Sequence, residues 1–309
     1  MWEKHPEIQN DLMLVEETIR KNTYTKNIQL RGIISGLFQA GGKRLRPAFV
    51  IIASRFGKLK ETEKSKVISV ASAIEILHTA TLVHDDIIDQ SRIRRGHPTV
   101  FKTHGNNIAL YIGDLLYTKA VLALSKDIPV ERLEAIARAI KILCEGEIDQ
   151  YLERGNLNTS ILSYLKSIAR KTAGLFGAAC ASGAYLSNCS TEVSKNFARF
   201  GFNFGMAFQI RDDLHDFLTD EQITGKPFGK DISEGVITLP LIFAMREDKR
   251  IIDIYKSADV ERIVEMVKQT SALQKTQILL DKYVSRAEKH LLKLPDNKYL
   301  SLLEELLKM

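Results

Sequence analysis

Residues 74–89 read IEILHTATLVHDDIID, and residues 202–216 read FNFGMAFQIRDDLHD. Each is an apolar stretch ending in the same pattern of acids: Asp85-Asp86-Ile87-Ile88-Asp89 in the first, Asp212-Asp213-Leu214-His215-Asp216 in the second. On a helix, positions i and i+4 share a face about 6 Å apart. Asp85 then stands with Asp89, and Asp212 with Asp216. Stacked carboxylates repel by roughly a few tenths of a kcal/mol, so a cation is expected to offset the charge. Oxygen-only ligands favour Mg²⁺, ordinarily held by one or two carboxylates plus phosphate oxygens and water. A solvated acidic face is the plainer reading of one such pattern. Two copies, neither with a Lys or Arg at i+4 to its acids, favour metal sites.

The sequence around these stretches is helical in period, and alternating strand patterns are scarce. Ile8, Leu12, Val15 and Ile19 make one apolar face, and Ile33, Leu37 and Phe38 another. Pro47 opens a helix, where its missing N–H costs nothing. Asp127 with Pro129 predicts a second start, followed by a face of Leu133, Ile136, Ile140, Leu143 and Ile148. Thr159 or Ser160 caps the next helix. Leu294–Asn297 separates the last two, and Leu300, Leu303 and Leu307 stripe the final one. No repeat of fixed period and no Pro-, Gly- or Ser-rich linker divides the chain. The expectation is a single all-α domain over residues 1–309 with ten or more helices.

Composition narrows the class. The 309 residues are 45% hydrophobic and 27% charged, the mix of a globular protein. No apolar run is expected to approach the ~18 residues of a membrane span, and the first residues, MWEKH, lack the apolar core of a signal peptide. Cys144, Cys180 and Cys189 are odd in number and lack metal spacing, which points to reduced thiols and a cytoplasmic protein. A net charge of +6 favours a polyanionic partner. With aromatics at 7% and no long basic tract, that partner is expected to be a phosphorylated small molecule and not nucleic acid.

Two short basic motifs supply phosphate ligands. Gly41-Gly42-Lys43-Arg44-Leu45-Arg46-Pro47 is a turn feeding a helix start, where free N–H groups and cationic side chains suit a diphosphate. Arg92-Ile93-Arg94-Arg95-Gly96-His97-Pro98 follows the first acid motif by a few residues, placing guanidiniums near the proposed metal. His78 lies seven residues before Asp85, two turns back on the same face. Lys171-Thr172, Lys226 and Lys230 are further polar candidates.

In order, GGKRLRP at 41–47, LVHDDIID at 82–89, RRGHPT at 94–99, GDLLY at 113–117, KTAGLF at 171–176, FQIRDD at 208–213 and GKPFGKD at 225–231 resemble the trans-type polyprenyl diphosphate synthases over nearly the whole chain. The resemblance implies the isoprenoid synthase fold, with helices around a deep central cavity, and usually a dimer. It implies three Mg²⁺, with Asp85, Asp89 and Asp212 as ligands and Asp86, Asp213 and Asp216 in support. Lys43, Arg46, His78 and Arg95 match the isopentenyl diphosphate site. Arg94, Lys171, Thr172, Gln209 and Lys226 match the allylic diphosphate site, with Lys171, Thr172 and Gln209 nearest the chemistry. Many members carry a lysine where this chain has Val236, and Lys230 is the candidate to compensate.

The reaction so implied is head-to-tail condensation of isopentenyl diphosphate with an allylic diphosphate. The tail of the product runs back along the helix bearing the first motif, past Ala80, Thr81 and Leu77. Ala80 and Thr81 are small where short-chain members commonly have aromatics, so a product above twenty carbons is expected. The closest family likeness is to the catalytic component of bacterial heptaprenyl diphosphate synthases, which works with a smaller partner subunit. The product would partition into a membrane, so the enzyme is expected in the cytoplasm or peripheral to a membrane. The competing readings are a geranylgeranyl or farnesyl diphosphate synthase, a terpene cyclase, and a noncatalytic prenyl synthase subunit. A cyclase would not be expected to carry Gly41–Pro47 with a second Asp-rich motif. A noncatalytic subunit typically loses the acids.

Overall fold

The computed structural model describes residues 1–127, 130–218 and 229–308. Its architecture is all-α apart from a two-residue-per-strand antiparallel hairpin, β1 (Ile93–Arg94) with β2 (His97–Pro98). The chain forms two compact units, each assembled from two stretches of sequence: residues 1–135 with 179–195, and residues 136–178 with 196–309.

In the first unit, helices α1 (Pro6–Thr23), α3 (Leu45–Ser54) and α5 (Val100–Asp127) pack on α4 (Lys64–Ile88). The α1 face expected from the sequence is the buried one: Ile8, Leu12, Val15 and Ile19 all lie in the core. In α2 (Ile28–Gln39), capped by the Asn27 side chain, the fully inward positions are Ile34 and Phe38, with Ile33 and Leu37 only half-buried. Nearly every residue of α4 from Val67 to Asp86 is buried. A helix apolar all round needs neighbours all round, which is why the first acid motif ends a core element. α5 bends at Gly105, whose φ of 79° is non-helical. Averaged over 18 residues, α4 and α5 are both long and apolar enough to cross a membrane, contrary to the expectation that no apolar run approaches a span. Most of that window of α4 is buried within the unit, as a core helix of a soluble protein would be.

The second unit contains the C-terminal part of α6 (Val130–Leu152), α7 (Ile161–Ile168), α10 (Lys230–Ser233), α11 (Leu239–Glu247), α12 (Arg250–Lys256), α13 (Val260–Gln269), α14 (Ala272–Leu291) and α15 (Leu300–Lys308). Helices α8 (Gly174–Leu186) and α9 (Thr191–Leu218) complete the chain. Ser160 caps α7 as expected, its hydroxyl accepting from the Ser163 N–H. One turn of π-helix, Ala169–Ala173, follows α7. The core is built from Tyr164, Ile168, Met206, Ile210, Leu214, Phe217, Leu239, Ile242, Val264, Val267, Leu280 and Tyr283. In α6 the expected apolar face is narrower than predicted: Leu143 is buried but Ile148 is exposed. Asp127 is the last residue of α5, and the start signal at Pro129 lies outside the described residues, as does the Leu133 side chain.

Candidate active site

The first acid motif closes α4. The Asp89 N–H donates to the Asp85 carbonyl at 2.8 Å, so the two residues are stacked one helical turn apart. Asp85 and Asp86 are buried and Asp89 is half-buried. Arg94, on the hairpin that follows, donates from Nε to Asp86 Oδ1 at 2.7 Å. The basic loop therefore does reach the motif, but through Arg94 gripping the second acid.

The glycine turn at 41–47 is shaped by its arginines. Gly41 and Gly42 have φ of 83° and 139°, and Arg44 is left-handed at 50°. Arg95 Nη1 donates to the Gly41 carbonyl. A Cβ on Gly42 would come within 2.5 Å of that nitrogen, so glycine is what lets Arg95 close on the turn. Arg44 is turned inward, donating to Glu16, to Glu75 at 3.0 Å and to the Phe38 carbonyl at 2.7 Å. Lys43 is exposed, and its carbonyl accepts from the Trp2 indole at 2.9 Å.

His78, Arg46 and Arg95 are brought into one electrostatic neighbourhood. Burial holds the His78 imidazole well below its ordinary range, and the charges of Arg46, Arg95, Arg94 and Arg44 push in the same direction. Burial also lowers Arg46 to about 10, with Glu75 opposing and Arg95 reinforcing. Four guanidiniums thus bear on one neutral imidazole, and two of them are already paired with acids, Arg44 with Glu16 and Glu75 and Arg94 with Asp86. Sequence reading missed Glu75; the signal was a lone acid in the apolar run Ile74-Glu75-Ile76-Leu77.

The second acid motif is built differently. Asp213 is buried, and both of its oxygens accept from neutral donors: Oδ2 from the Tyr164 hydroxyl at 2.5 Å and Oδ1 from Gln209 Nε2 at 2.8 Å. Gln209 Oε1 in turn accepts from the Thr172 hydroxyl at 2.9 Å. The predicted pair Thr172 and Gln209 is thus together, joined in a chain that ends on the acid. Burial pushes Asp213 up to about 7, the repulsion of Asp212 and Asp216 adding to it and the two hydrogen bonds opposing it. Asp216 accepts from the backbone N–H groups of Lys230 and Asp231 at 3.3 and 3.2 Å. Asp231 joins the cluster, driven well above its ordinary range by burial and then by Asp213 and Asp216. It is the last letter of the GKPFGKD motif, and sequence reading gave it no role.

Lys171 reaches Glu147 at 2.8 Å and Gln150 at 2.9 Å, both on α6. Lys230, the expected substitute for the missing lysine at Val236, is exposed and paired with Glu234 at 3.3 Å. Lys226 lies outside the described residues. Ala80, Thr81 and Leu77 are all buried in α4, and the Thr81 hydroxyl bonds back to the His78 carbonyl at 2.7 Å.

The residues present fit magnesium. Asp213, Asp216 and Asp231 are all raised, with mutual repulsion adding to burial, and an added cation relieves that repulsion. Among the described residues no three acid, His or Cys side chains converge as a ready-made metal cage. Sites that hold Mg²⁺ by one or two carboxylates and complete the shell with phosphate oxygens and water have that open form.

Residues 28–270 match the family model described as polyprenyl synthetase. Heptaprenyl diphosphate synthase component 2 of Geobacillus stearothermophilus is 35% identical over 305 residues, covering 97% of this chain and 94% of the relative. The crystal structure of heptaprenyl diphosphate synthase from Staphylococcus aureus superposes with a TM-score of 0.91 at 33% identity, covering 97% of this chain and 96% of the other. That of polyprenyl synthase from Caulobacter crescentus, complexed with calcium and isoprenyl diphosphate, gives 0.88 at 32% identity, with coverage of 97% and 93%. The fold is the isoprenoid synthase fold, and the chemistry is that of a prenyltransferase. The chain belongs to the polyprenyl synthetase family.

Proposed function

We propose that this chain is a long-chain trans-polyprenyl diphosphate synthase, extending an allylic diphosphate with isopentenyl diphosphate beyond twenty carbons, heptaprenyl being the product favoured by its relatives. The observation that carries the reaction class is the repeated acid motif, each copy with its second Asp buried and anchored by a partner on another element. Three Mg²⁺, taken by Asp85 and Asp89 in one motif and Asp212 with its neighbours in the other, would neutralise the diphosphate as its C–O bond breaks.

The chain's own residues do the rest. Arg46 and Arg95 bind the isopentenyl diphosphate, and His78, held neutral, offers an N–H without adding charge. Lys43 stands at the outer end of the same turn. Arg94 and Lys171 carry the positive charge for the allylic diphosphate, each oriented by the acid it already touches. Lys226 belongs to the same set by its place in the motif. The Thr172 and Gln209 oxygens face their dipoles to an allylic cation. The isopentenyl double bond then attacks that cation, and the departed diphosphate takes the proton released. Holding two anionic substrates in register supplies much of the remaining acceleration.

The small side chains of Ala80 and Thr81 support a long product. The partner is a further subunit, as the component numbering of the relatives suggests, or a second copy of this chain. All three cysteines are free thiols, in keeping with a cytoplasmic location. The test is incubation with labelled isopentenyl diphosphate and primers of several lengths, with and without cell extract, followed by product sizing. A ladder ending above twenty carbons is expected. Products that stop at twenty or fewer in both conditions overturn the long-chain reading, and turnover of the primer without isopentenyl incorporation favours a cyclase.

A further inference from the structure

The basic residues of this chain do not form a tract in sequence, but winding α14 gathers several of them. Lys282, Arg286, Lys289 and Lys293 are spaced four, three and four apart, the last standing on the turn just past the helix. That spacing puts them on one stripe about 16 Å long. All four are exposed, and among the described residues none of them forms an ion pair. Lys275, at the head of the stripe, is instead held by Glu247 at 2.9 Å. The Arg286 guanidinium lies 5.0 Å from the centre of the Tyr283 ring, which supports it from below. A further cation flanks the stripe: after burial, the charges of Arg199 and Lys293 are what hold the His290 imidazole below its ordinary value. The acids of α14, Asp281 and Glu288, fall on another flank of the helix.

Exposed apolar side chains stand between the stripe and the acidic flank. Leu292 is 81% exposed and Ile278 49% exposed. The inward face of α14 is fixed in the core by Ala272, Thr276, Leu280, Tyr283, Ala287 and Leu291. An anchored helix presenting cations free of ion pairs on long stems, with a bare leucine at its end, matches a flat anionic surface into which an apolar side chain can sink. Nucleic acid would be better served by exposed aromatic stacking groups, which α14 lacks.

We propose that this face of α14 docks the enzyme on the headgroup plane of an anionic phospholipid membrane, with Lys282, Arg286, Lys289 and Lys293 on the phosphates and Leu292 at the acyl boundary. The inference rests on the surface of the second unit alone and is independent of product length. Each cation close to an anionic leaflet is worth roughly fivefold in partitioning, and added salt screens it.

The experiment is cosedimentation of the full chain with vesicles of phosphatidylcholine, with and without phosphatidylglycerol. Binding to the phosphatidylglycerol vesicles only, lost at high salt, is expected. The variant K282Q/R286Q/K289Q/K293Q should lose it by roughly two orders of magnitude or more, with an unchanged circular dichroism spectrum and unchanged turnover on a short soluble primer. L292S, keeping every charge, should weaken binding several-fold. No binding to anionic vesicles, binding unchanged in the quadruple variant, or capture of DNA or an acidic protein in place of vesicles would each overturn the proposal.

Discussion

The two acid motifs share their letters and differ in what holds them. In both, the second Asp is turned inward and only 3% exposed. Asp86 is held by a cation, Arg94, that follows it by eight residues. Asp213 is held by two neutral donors, Tyr164 and Gln209, and drifts up to about 7. Arg211, two residues back on the helix, points to another face, where its guanidinium donates to the Leu307 carbonyl at 3.1 Å. A guanidinium stabilises a buried carboxylate as an anion, whereas neutral donors leave much of the desolvation cost standing. The second cluster, with Asp231 added, is therefore the more cation-hungry of the two.

This contrast can be broken or sharpened by substitution. The largest effect is expected from Asp85→Ala, which removes a proposed metal ligand and should lower condensation by about 10³-fold at saturating Mg²⁺; steady-state rates with isopentenyl diphosphate read it directly. Next comes Arg94→Ala. Removing the charged anchor of Asp86 should cost about 2–3 kcal/mol of stability, measured by urea denaturation. Tyr164→Phe removes one neutral donor from Asp213 and should cost less, about 1–2 kcal/mol by the same measurement. If the Tyr164 change costs more than the Arg94 change, the contrast between charged and neutral anchoring is wrong.

The smallest effect concerns His78. Its imidazole stays neutral when folded but takes up a proton near pH 6.5 when unfolded. Below pH 6.5 the unfolded chain therefore binds more protons, and stability falls as pH drops from 6.5 toward the folded value. His78→Gln should flatten that slope in denaturation measured across this range. Separately, Ala80→Phe should shorten the product ladder, read by chromatography of the dephosphorylated alcohols.

What the sequence made legible was local. The α1 stripe, the Ser160 cap and both acid motifs follow from spacings of three and four residues, and the helix enforces those spacings. Arg94 was also within reach, because it lies on the loop that follows the motif. Tyr164 was not: it stands 49 residues from Asp213, and only packing of α7 on α9 brings the hydroxyl to the acid. Glu147 meets Lys171 in the same way, across 24 residues. Ile148 misled because periodicity marks a face without saying how wide a neighbour will cover it. The basic stripe of α14 escaped notice because its charges are interrupted in sequence and continuous only on the wound helix.

Calorimetric titration of inorganic diphosphate, with and without Mg²⁺, into the wild-type chain, Asp85→Asn and Asp212→Asn tests the role of the acids most directly. Diphosphate should bind the wild type far more tightly with magnesium than without it, and each substitution should erase most of that gain while the fold survives. Equal affinity with and without magnesium, or a full magnesium gain in both variants, would contradict the assignment of these carboxylates as the metal-holding groups.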